Sequence, residues 1–239
     1  MARQGDTWAI PRDAYLPREM VRRVLRHLAD KADKRDYTIT LLLFRCGLRP
    51  GEALALTIGD VYRDGEVVKH LYIRPETTKT GEGRTIPVHS EVRVKLAAFL
   101  KQKRLRNRQA TAADPERMYE PEPLRPILIG GQEIDPPLFV SRERGADGEP
   151  RAVTRDQLGK VFQKLRRELD LPSWFTPHKG RHFVGTSLVH ADPDRDWEGD
   201  ITTARDVLGH RDIAMTAAAY TRTPAEARKR AMGVLAGVQ

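Results

Sequence analysis

Cysteine is almost absent from this chain. Cys46 is the only one among 239 residues, which excludes an intrachain disulfide and a cysteine-based zinc site. It lies in the apolar stretch that runs from Leu41 to Cys46, where an inert core thiol is the simplest interpretation. A single unpaired cysteine suits a reducing compartment, and the predicted location is the cytoplasm.

Long hydrophobic runs are absent too. The longest, Ile39 to Phe44, is much shorter than the roughly 18 residues that indicate a transmembrane helix. Residues 1–6 contain no apolar core of a signal peptide. Hydrophobic residues make up 39% of the chain and charged residues 31%, a composition typical of soluble globular proteins. We therefore expect no membrane association.

Positive charge is in excess. Lysine and arginine number 42 and aspartate and glutamate 33, which gives a net charge of +9. Such a surplus is the electrostatic footprint of a nucleic-acid-binding protein, although charge alone leaves plain solubility open as an explanation. Arginine outnumbers lysine in the C-terminal half, which favours planar, bidentate recognition of phosphate.

The pattern along the chain predicts an N-terminal arm (1–16) and one domain (17–239). Helical periodicity begins at Pro17, and further helices are predicted over 37–46 and from Pro50 onward. Strand-like segments at 67–73 and 84–88 flank a turn rich in glycine and threonine. We therefore expect a mainly helical α+β fold with a three-stranded antiparallel sheet near residues 59–88.

The C-terminal half is predicted to be largely helical. Capping boxes at Thr154–Gln157 and Thr223–Glu226 indicate two helix starts. We also expect a basic helix over 91–108, an irregular insertion over 109–137 and a short strand at 138–140. One further helix is expected to begin at 176–177, a second to end near 208–209 and a third to surround residue 220. A C-terminal helix is expected over 223–239.

Four places combine a reactive side chain with local order. They are Arg49 at a helix start, Lys79 in a hairpin turn, His178 with Arg181 on one helix face, and His210 followed by Tyr220. Each has an ordinary explanation by itself, such as a solvated charge or a packing tyrosine. Together they supply what phosphodiester transesterification needs, namely an oxygen nucleophile, cations for the phosphoryl oxygens and groups that move protons. Neither a metal nor another cofactor is required for this chemistry.

The same segments resemble the conserved blocks of the tyrosine recombinase (phage integrase) family, in the family order. Gly47-Leu48-Arg49-Pro50-Gly51-Glu52 is similar to the first arginine block, and Thr78-Lys79-Thr80-Gly81 to the β-hairpin lysine segment. His178-Lys179-Gly180-Arg181-His182 is similar to the His-x-x-Arg block, and Leu208-Gly209-His210 with Tyr220 to the terminal block. The resemblance covers about residues 17–235 and leaves open whether this is a short single-domain member or a catalytic domain without its N-terminal partner domain.

The resemblance implies a role for each residue. Arg49 and Arg181 hold the scissile phosphate, Lys79 protonates the leaving 5′ oxygen, and Tyr220 forms a 3′-phosphotyrosyl link. His178 assists proton transfer, His210 bonds a phosphoryl oxygen, and Glu52 orients the site. Arg84, Lys179 and His182 are expected to contact DNA. Gly180 weakens its helix by about 1 kcal/mol relative to alanine and is expected to let the helix backbone approach DNA.

The implied partner is double-stranded DNA, with self-association into dimers or tetramers on it. The C-terminal helix is expected to dock on a neighbouring protomer. Two rival functions stay open: a DNA-binding or architectural protein without turnover, and a type IB topoisomerase-like enzyme that relaxes DNA. A zinc hydrolase built on His178 and His182 is disfavoured, because Lys179 stands where that motif needs glutamate. A phosphate-binding loop at 47–51 is dismissed, because the required Lys-Ser/Thr pair is missing.

Overall fold

The computed structural model describes residues 16–32, 34–113, 127–129, 132–144, 150–190 and 198–220, with side chains left out at 104–134, 143–150 and 218–220. The helices in these ranges are α1 (Arg18–Ala29), α2 (Arg35–Arg45), α3 (Pro50–Leu54), α4 (Ile58–Val61), α5 (Ser90–Ala113), α6 (Arg155–Glu168), α7 (His178–Val189), α8 (Ile201–Leu208) and α9 (Ile213–Tyr220), with a 3-10 helix at Pro75–Thr77. The strands are β1 (Tyr62–Arg63), β2 (Glu66–Val67), β3 (His70–Ile73), β4 (Arg84–Pro87), β5 (Ile127–Ile129), β6 (Gln132–Ile134), β7 (Val140–Arg144) and β8 (Pro150–Ala152). Among the described residues, no helix is long and apolar enough to cross a bilayer.

Helix α2 forms the centre of the core. Every residue from Tyr37 to Phe44 is buried, as expected for a helix that other elements surround. Helices α1, α5 and α7 pack against it. The ring of Phe44 lies 6.5 Å from that of Phe162 and 5.8 Å from that of Phe175. This packing fixes α7, which carries His178 and Arg181, to the rigid part of the domain.

The predicted mainly helical fold with a small antiparallel sheet is confirmed, but the sheet differs in detail. Instead of three strands in one sheet, β1 pairs with β2 and β3 pairs with β4 as two separate hairpins. The first hairpin turns at Asp64 and Gly65, whose φ angles are 51° and 85°, the conformation that an Asp-Gly two-residue turn adopts. The segment 67–73, predicted as one strand, is therefore divided between the two hairpins.

The segment expected to be irregular contains regular structure. Helix α5 continues to Ala113, and β5 pairs with β6 from Ile127↔Ile134 to Ile129↔Gln132. The strand expected at 138–140 begins at Val140. The predicted arm, except residue 16, and the predicted C-terminal helix (223–239) lie outside the described residues.

The capping box that was predicted to open α6 is present. Thr154 Oγ1 accepts a hydrogen bond from the backbone N–H of Gln157 at 3.2 Å, and Gln157 Oε1 accepts one from the N–H of Thr154 at 3.1 Å. These two bonds satisfy donors that the first turn of a helix leaves unpaired.

Candidate active site

A glycine turn between α2 and α3 positions Arg49. Gly47 has a φ of 66°, a left-handed conformation in which glycine commonly ends a helix. A Cβ added there would lie 3.1 Å from side-chain atoms of both Leu208 and Val184, so the conformation favours glycine and a larger residue would also crowd these neighbours. Pro50 then opens α3, and Arg49 occupies the position just before it.

Glu52 is the buried carboxylate beside Arg49. Its side chain is 1% exposed. It accepts bonds from the backbone N and the Nη1 of Arg49, both at 2.8 Å, and from Nη1 and Nη2 of Arg84 at 2.9 and 2.7 Å. Burial raises the pKa of Glu52, but the bonds and charge of Arg84 and the bonds from Arg49 outweigh it and hold the pKa below its usual value. Glu52 is therefore ionised and ties α3 to β4.

Arg84 is directed into the protein. Its side chain is 8% exposed, and besides the two bonds to Glu52 its Nε donates to the carbonyl of Val207 at 3.1 Å. Gly209, with a φ of 65° after α8, leaves the room that Arg84 needs, because a Cβ there would lie 2.5 Å from Arg84 Cδ. These contacts make Arg84 a link between α3, β4 and the end of α8, and the expected DNA contact of Arg84 stays a prediction.

Arg181 is held by the ends of two helices. Its side chain is buried; Nη1 donates to the carbonyl of Gly47 at 3.1 Å, and Nη2 donates to the carbonyl of Leu208. Carbonyls at helix C-termini lack partners within the helix and favour cations. The guanidinium of Arg181 is thus fixed between the chain segments that carry Arg49 and His210.

The two histidines of the predicted site share one electrostatic environment. Burial, and then the charges of Arg181, Arg49 and Arg84, lower the pKa of His210 to about 4. Desolvation, and then the charges of Arg155, Arg181 and Arg49, lower the pKa of His178. Arg49 and Arg181 therefore act electrostatically on both imidazoles, in keeping with the bonds of Arg181 to the segments before Arg49 and His210.

Thr216 of α9 fixes the ring of His210. The hydroxyl Oγ1 of Thr216, which is fully buried, lies 2.9 Å from Nδ1 of His210. This bond sets which ring nitrogen is left to face a ligand. It also joins α9 to the segment that follows α8.

Lys79 is exposed in the β3–β4 connection, just after the 3-10 helix. That connection docks beside His210, because Arg211 Nε bonds Glu82 Oε1 at 2.9 Å and Arg211 Nη2 bonds the carbonyl of Thr80 at 3.3 Å. Lys79 itself makes no hydrogen bond or ion pair with any described residue. The structure thus brings the lysine segment to the site without fixing the ammonium.

Tyr220 is the last residue of α9, and its side chain lies outside the described residues. Helix α9 packs against both α7 and α8. The helix that carries Tyr220 is therefore held against the elements that carry Arg181 and precede His210.

The other residues of the His178 block face inward. Lys179 is buried, with its Nζ 5.3 Å from the centre of the Trp174 ring, and burial lowers its pKa. Burial and the charge of Lys179 also lower the pKa of His182. Their expected DNA contacts stay predictions. The expectation for Gly180 is corrected: a Cβ there would lie 2.8 Å from the backbone of Leu43, so this glycine serves the packing of α7 on α2.

Sequence reasoning missed Arg155 and Thr216. Arg155, the first residue of α6, is exposed, and its guanidinium packs on Gly51, where an added Cβ would lie 2.5 Å from Nη2. A basic residue in a first turn opposes the helix dipole, which was the one available signal. For Thr216 the sequence offered no signal except its place one helical turn before Tyr220.

Arg49, Arg181, His178 and His210 thus form the candidate site. The sequence model of the phage integrase family matches residues 14–226, so this chain belongs to the phage integrase family. The family resemblance seen in the sequence is confirmed.

Curated relatives agree with this assignment. The tyrosine recombinase XerC of Rhizobium meliloti (strain 1021) is 31% identical over 185 residues, which cover 76% of this chain and 44% of the relative. The tyrosine recombinase XerC of Methylobacterium sp. (strain 4-46) is 34% identical over 182 residues, again 76% of this chain and 44% of the relative. The chain thus spans less than half of the length of these relatives.

Solved structures share the fold. The crystal structure of XerA recombinase superposes with a TM-score of 0.61 at 22% identity, covering 94% of this chain and 65% of that one. The XerH site-specific recombinase bound to palindromic difH substrate, a post-cleavage complex, gives a TM-score of 0.61 at 18% identity, covering 92% and 52%. At these identities the likeness establishes the fold.

Proposed function

We propose that this chain is the catalytic part of a tyrosine site-specific recombinase, which cleaves and rejoins double-stranded DNA through a 3′-phosphotyrosyl intermediate without metal or ATP. The observation that carries the proposal is that Arg181 of α7 bonds the segments that lead to Arg49 and His210, while the helix that ends at Tyr220 packs on α7 and α8. The names of the curated relatives support it. Because the substrate is DNA, the proposed place of action is the bacterial cytoplasm.

The proposed cleavage step is an in-line transesterification. The phenol oxygen of Tyr220 attacks the phosphorus while Arg49 and Arg181 stabilise the charge on the non-bridging oxygens. The bond from phosphorus to the 5′ oxygen breaks, and Lys79 gives that oxygen a proton. The phenol proton passes to His178, whose lowered pKa keeps it neutral and able to accept. Attack by a 5′ hydroxyl reverses these transfers and rejoins the strand.

His210 is proposed to act as a neutral hydrogen-bond donor. With its pKa near 4, it contributes no charge at neutral pH. We propose that the Thr216 hydroxyl, 2.9 Å from Nδ1, donates a hydrogen bond to that nitrogen, which leaves the ring N–H on Nε2 to face a phosphoryl oxygen. Thr216 is thus a positioning residue for His210.

The test of the proposal uses a nicked suicide duplex with a randomised central sequence, in which the short 5′ fragment diffuses away after cleavage. The fragment that leaves is the short one that carries the new 5′ hydroxyl, so the strand cannot be rejoined. We therefore expect the wild type to give a covalent protein–DNA adduct on denaturing gels. Arg181→Ala and Arg181→Lys should reduce its rate by about 10²–10³-fold, the effect of losing one transition-state contact. Arg167→Ala, an exposed arginine at the far end of α6, is the matched control and should react at the wild-type rate.

The outcomes separate the rival functions. DNA binding with no adduct would overturn the proposal and favour the architectural protein. Relaxation of supercoiled DNA without exchange of strands between two duplexes would favour the topoisomerase-like enzyme.

The role of Lys79 has its own test. In a duplex with a 5′-bridging phosphorothiolate, the leaving group is a thiolate that departs without a general acid. Lys79→Ala should therefore be slow on the ordinary duplex and return to near the wild-type rate on the sulfur-containing one. A defect of equal size on both substrates would contradict the general-acid role.

Self-association completes the proposal. We expect dimers or tetramers on DNA, with the predicted helix at 223–239 docked on a neighbouring protomer. Analytical ultracentrifugation on a duplex should show more than one protomer per DNA, and deletion of 223–239 should abolish the higher species. A protein that stays monomeric on DNA would contradict this part.

A further inference from the structure

We propose that Arg155 binds a DNA backbone phosphate next to the one held by Arg49 and Arg181, and so extends the anion site by one contact along the strand. This inference rests on the proposed function and assigns to α6 a part in it.

The guanidinium of Arg155 rests on the first turn of α3. A Cβ on Gly51 would lie 2.5 Å from Nη2 and 3.3 Å from Cζ and Nε of Arg155, so the guanidinium lies directly against the glycine and occupies the space that a larger residue would fill. Gly51 follows Arg49 by two residues. Arg155 therefore lies at the edge of the proposed phosphate site, next to the segment that carries Arg49.

The charge of Arg155 also acts on His178 at the start of α7. It acts on His178 more strongly than the charges of Arg181 and Arg49 do. Arg155 thus contacts α3, which follows Arg49, and acts electrostatically on the start of α7, which carries Arg181.

The charge of Arg155 has no counterpart within the described part of the protein. Arg155 is exposed and makes no hydrogen bond or ion pair with any described residue. The nearby carboxylate of Glu52 already accepts four bonds from Arg49 and Arg84. The positive charges of Arg155, Arg49 and Arg181 repel one another, and a bound anion would offset this repulsion.

A DNA strand supplies such anions at a suitable spacing. Successive phosphates on one strand are about 3.4 Å apart along the axis, so the phosphate beside the scissile one lies within reach of a long side chain at the edge of the site. A planar guanidinium suits a phosphate bidentately.

The test measures binding of the wild-type chain, Arg155→Gln and Arg155→Lys to one labelled duplex of about 30 base pairs with unspecific sequence, by fluorescence anisotropy at several salt concentrations. Loss of one phosphate contact should lower the slope of log K against log salt by about 0.9, which weakens binding about eightfold near 0.1 M salt. Arg155→Lys should keep most of the slope. Arg167→Gln removes the same charge from the opposite end of α6 and should leave the slope unchanged.

A second readout needs no DNA. In the free protein, Arg155→Gln should raise the pKa of His178 in an NMR titration, because a neighbouring positive charge is removed. Arg167→Gln should leave that pKa unchanged.

The failures are distinguishable. If the wild type binds DNA with a steep salt dependence and Arg155→Gln has the same slope, the inference about Arg155 is overturned while the proposed function stands. If the wild type does not bind DNA at all, both are overturned.

Discussion

Removing the charge of Glu52 tests the framework of the site. Its carboxylate is 1% exposed and receives four bonds from two arginines. Glu52→Gln keeps the shape but leaves two largely buried cations without a counter-charge, which costs about 3–5 kcal/mol. For a domain of this size that corresponds to a fall in melting temperature of roughly 6–20 °C. Urea unfolding, followed by circular dichroism, gives the free energy directly.

The matched control is Glu66→Gln. Glu66 is 65% exposed and lies 3.5 Å from Arg93, a surface pair whose loss costs about 0–1 kcal/mol. Combining Glu52→Gln with Arg84→Met should cost less than the sum of the single variants, because both remove the same interaction. If Glu52→Gln unfolded with the same free energy as Glu66→Gln, the reasoning about a buried, doubly bonded carboxylate would be refuted.

The remaining predictions concern packing and titration. Gly180→Ala should destabilise the fold by about 1–3 kcal/mol, because its Cβ would meet Leu43 at 2.8 Å, whereas Gly159→Ala, with open space in α6, should stabilise it by about 0.5–1 kcal/mol; equal effects in urea unfolding would contradict the packing argument. His210 should titrate near pH 4 by NMR and move upward on addition of inorganic phosphate, and a midpoint near 6.5 would contradict both the burial of the ring and the effect of the arginine charges on it. Since its pKa is lowered in the folded state, His210 should contribute stability above about pH 6.5 that is lost as the pH falls toward 4. Thr216→Val should change the Nδ1/Nε2 tautomer populations of His210 in ¹⁵N spectra, and unchanged populations would remove Thr216 from its positioning role.

The sequence predicted the helical framework well, because local signals coincide with tertiary packing there. The amphipathic pattern after Pro17, the apolar stretch of α2 and the capping box at Thr154 each correspond to an observed element. The sheet was less predictable, because the turn at Asp64 and Gly65 separates two short hairpins in a segment that alternates like one strand.

The candidate site residues could be selected from the sequence, but their roles stay predictions and their contacts could not be predicted. Arg181 bonds the carbonyls of Gly47 and Leu208, which places it beside the segments that carry Arg49 and His210. What each side chain bonds depends on long-range packing. Arg84 illustrates this, because nothing local indicates that its guanidinium turns inward to a carboxylate 32 residues away.

The packing roles of two glycines could not be predicted from the local sequence either. Gly180 looks like a weak point of a DNA-facing helix, and only the closeness of Leu43 explains it. Gly51 is an ordinary helix-start residue until Arg155 is seen to rest on it. Such close approaches join segments more than 100 residues apart, which no local pattern records.

Mapping the covalently linked residue tests the central claim most directly. The adduct trapped on the suicide duplex would be digested with trypsin and nuclease and analysed by mass spectrometry. The account predicts a nucleotide attached to the peptide that contains Tyr220, and no adduct from Tyr220→Phe. A nucleotide on any other residue, or an adduct that persists in Tyr220→Phe, would contradict it.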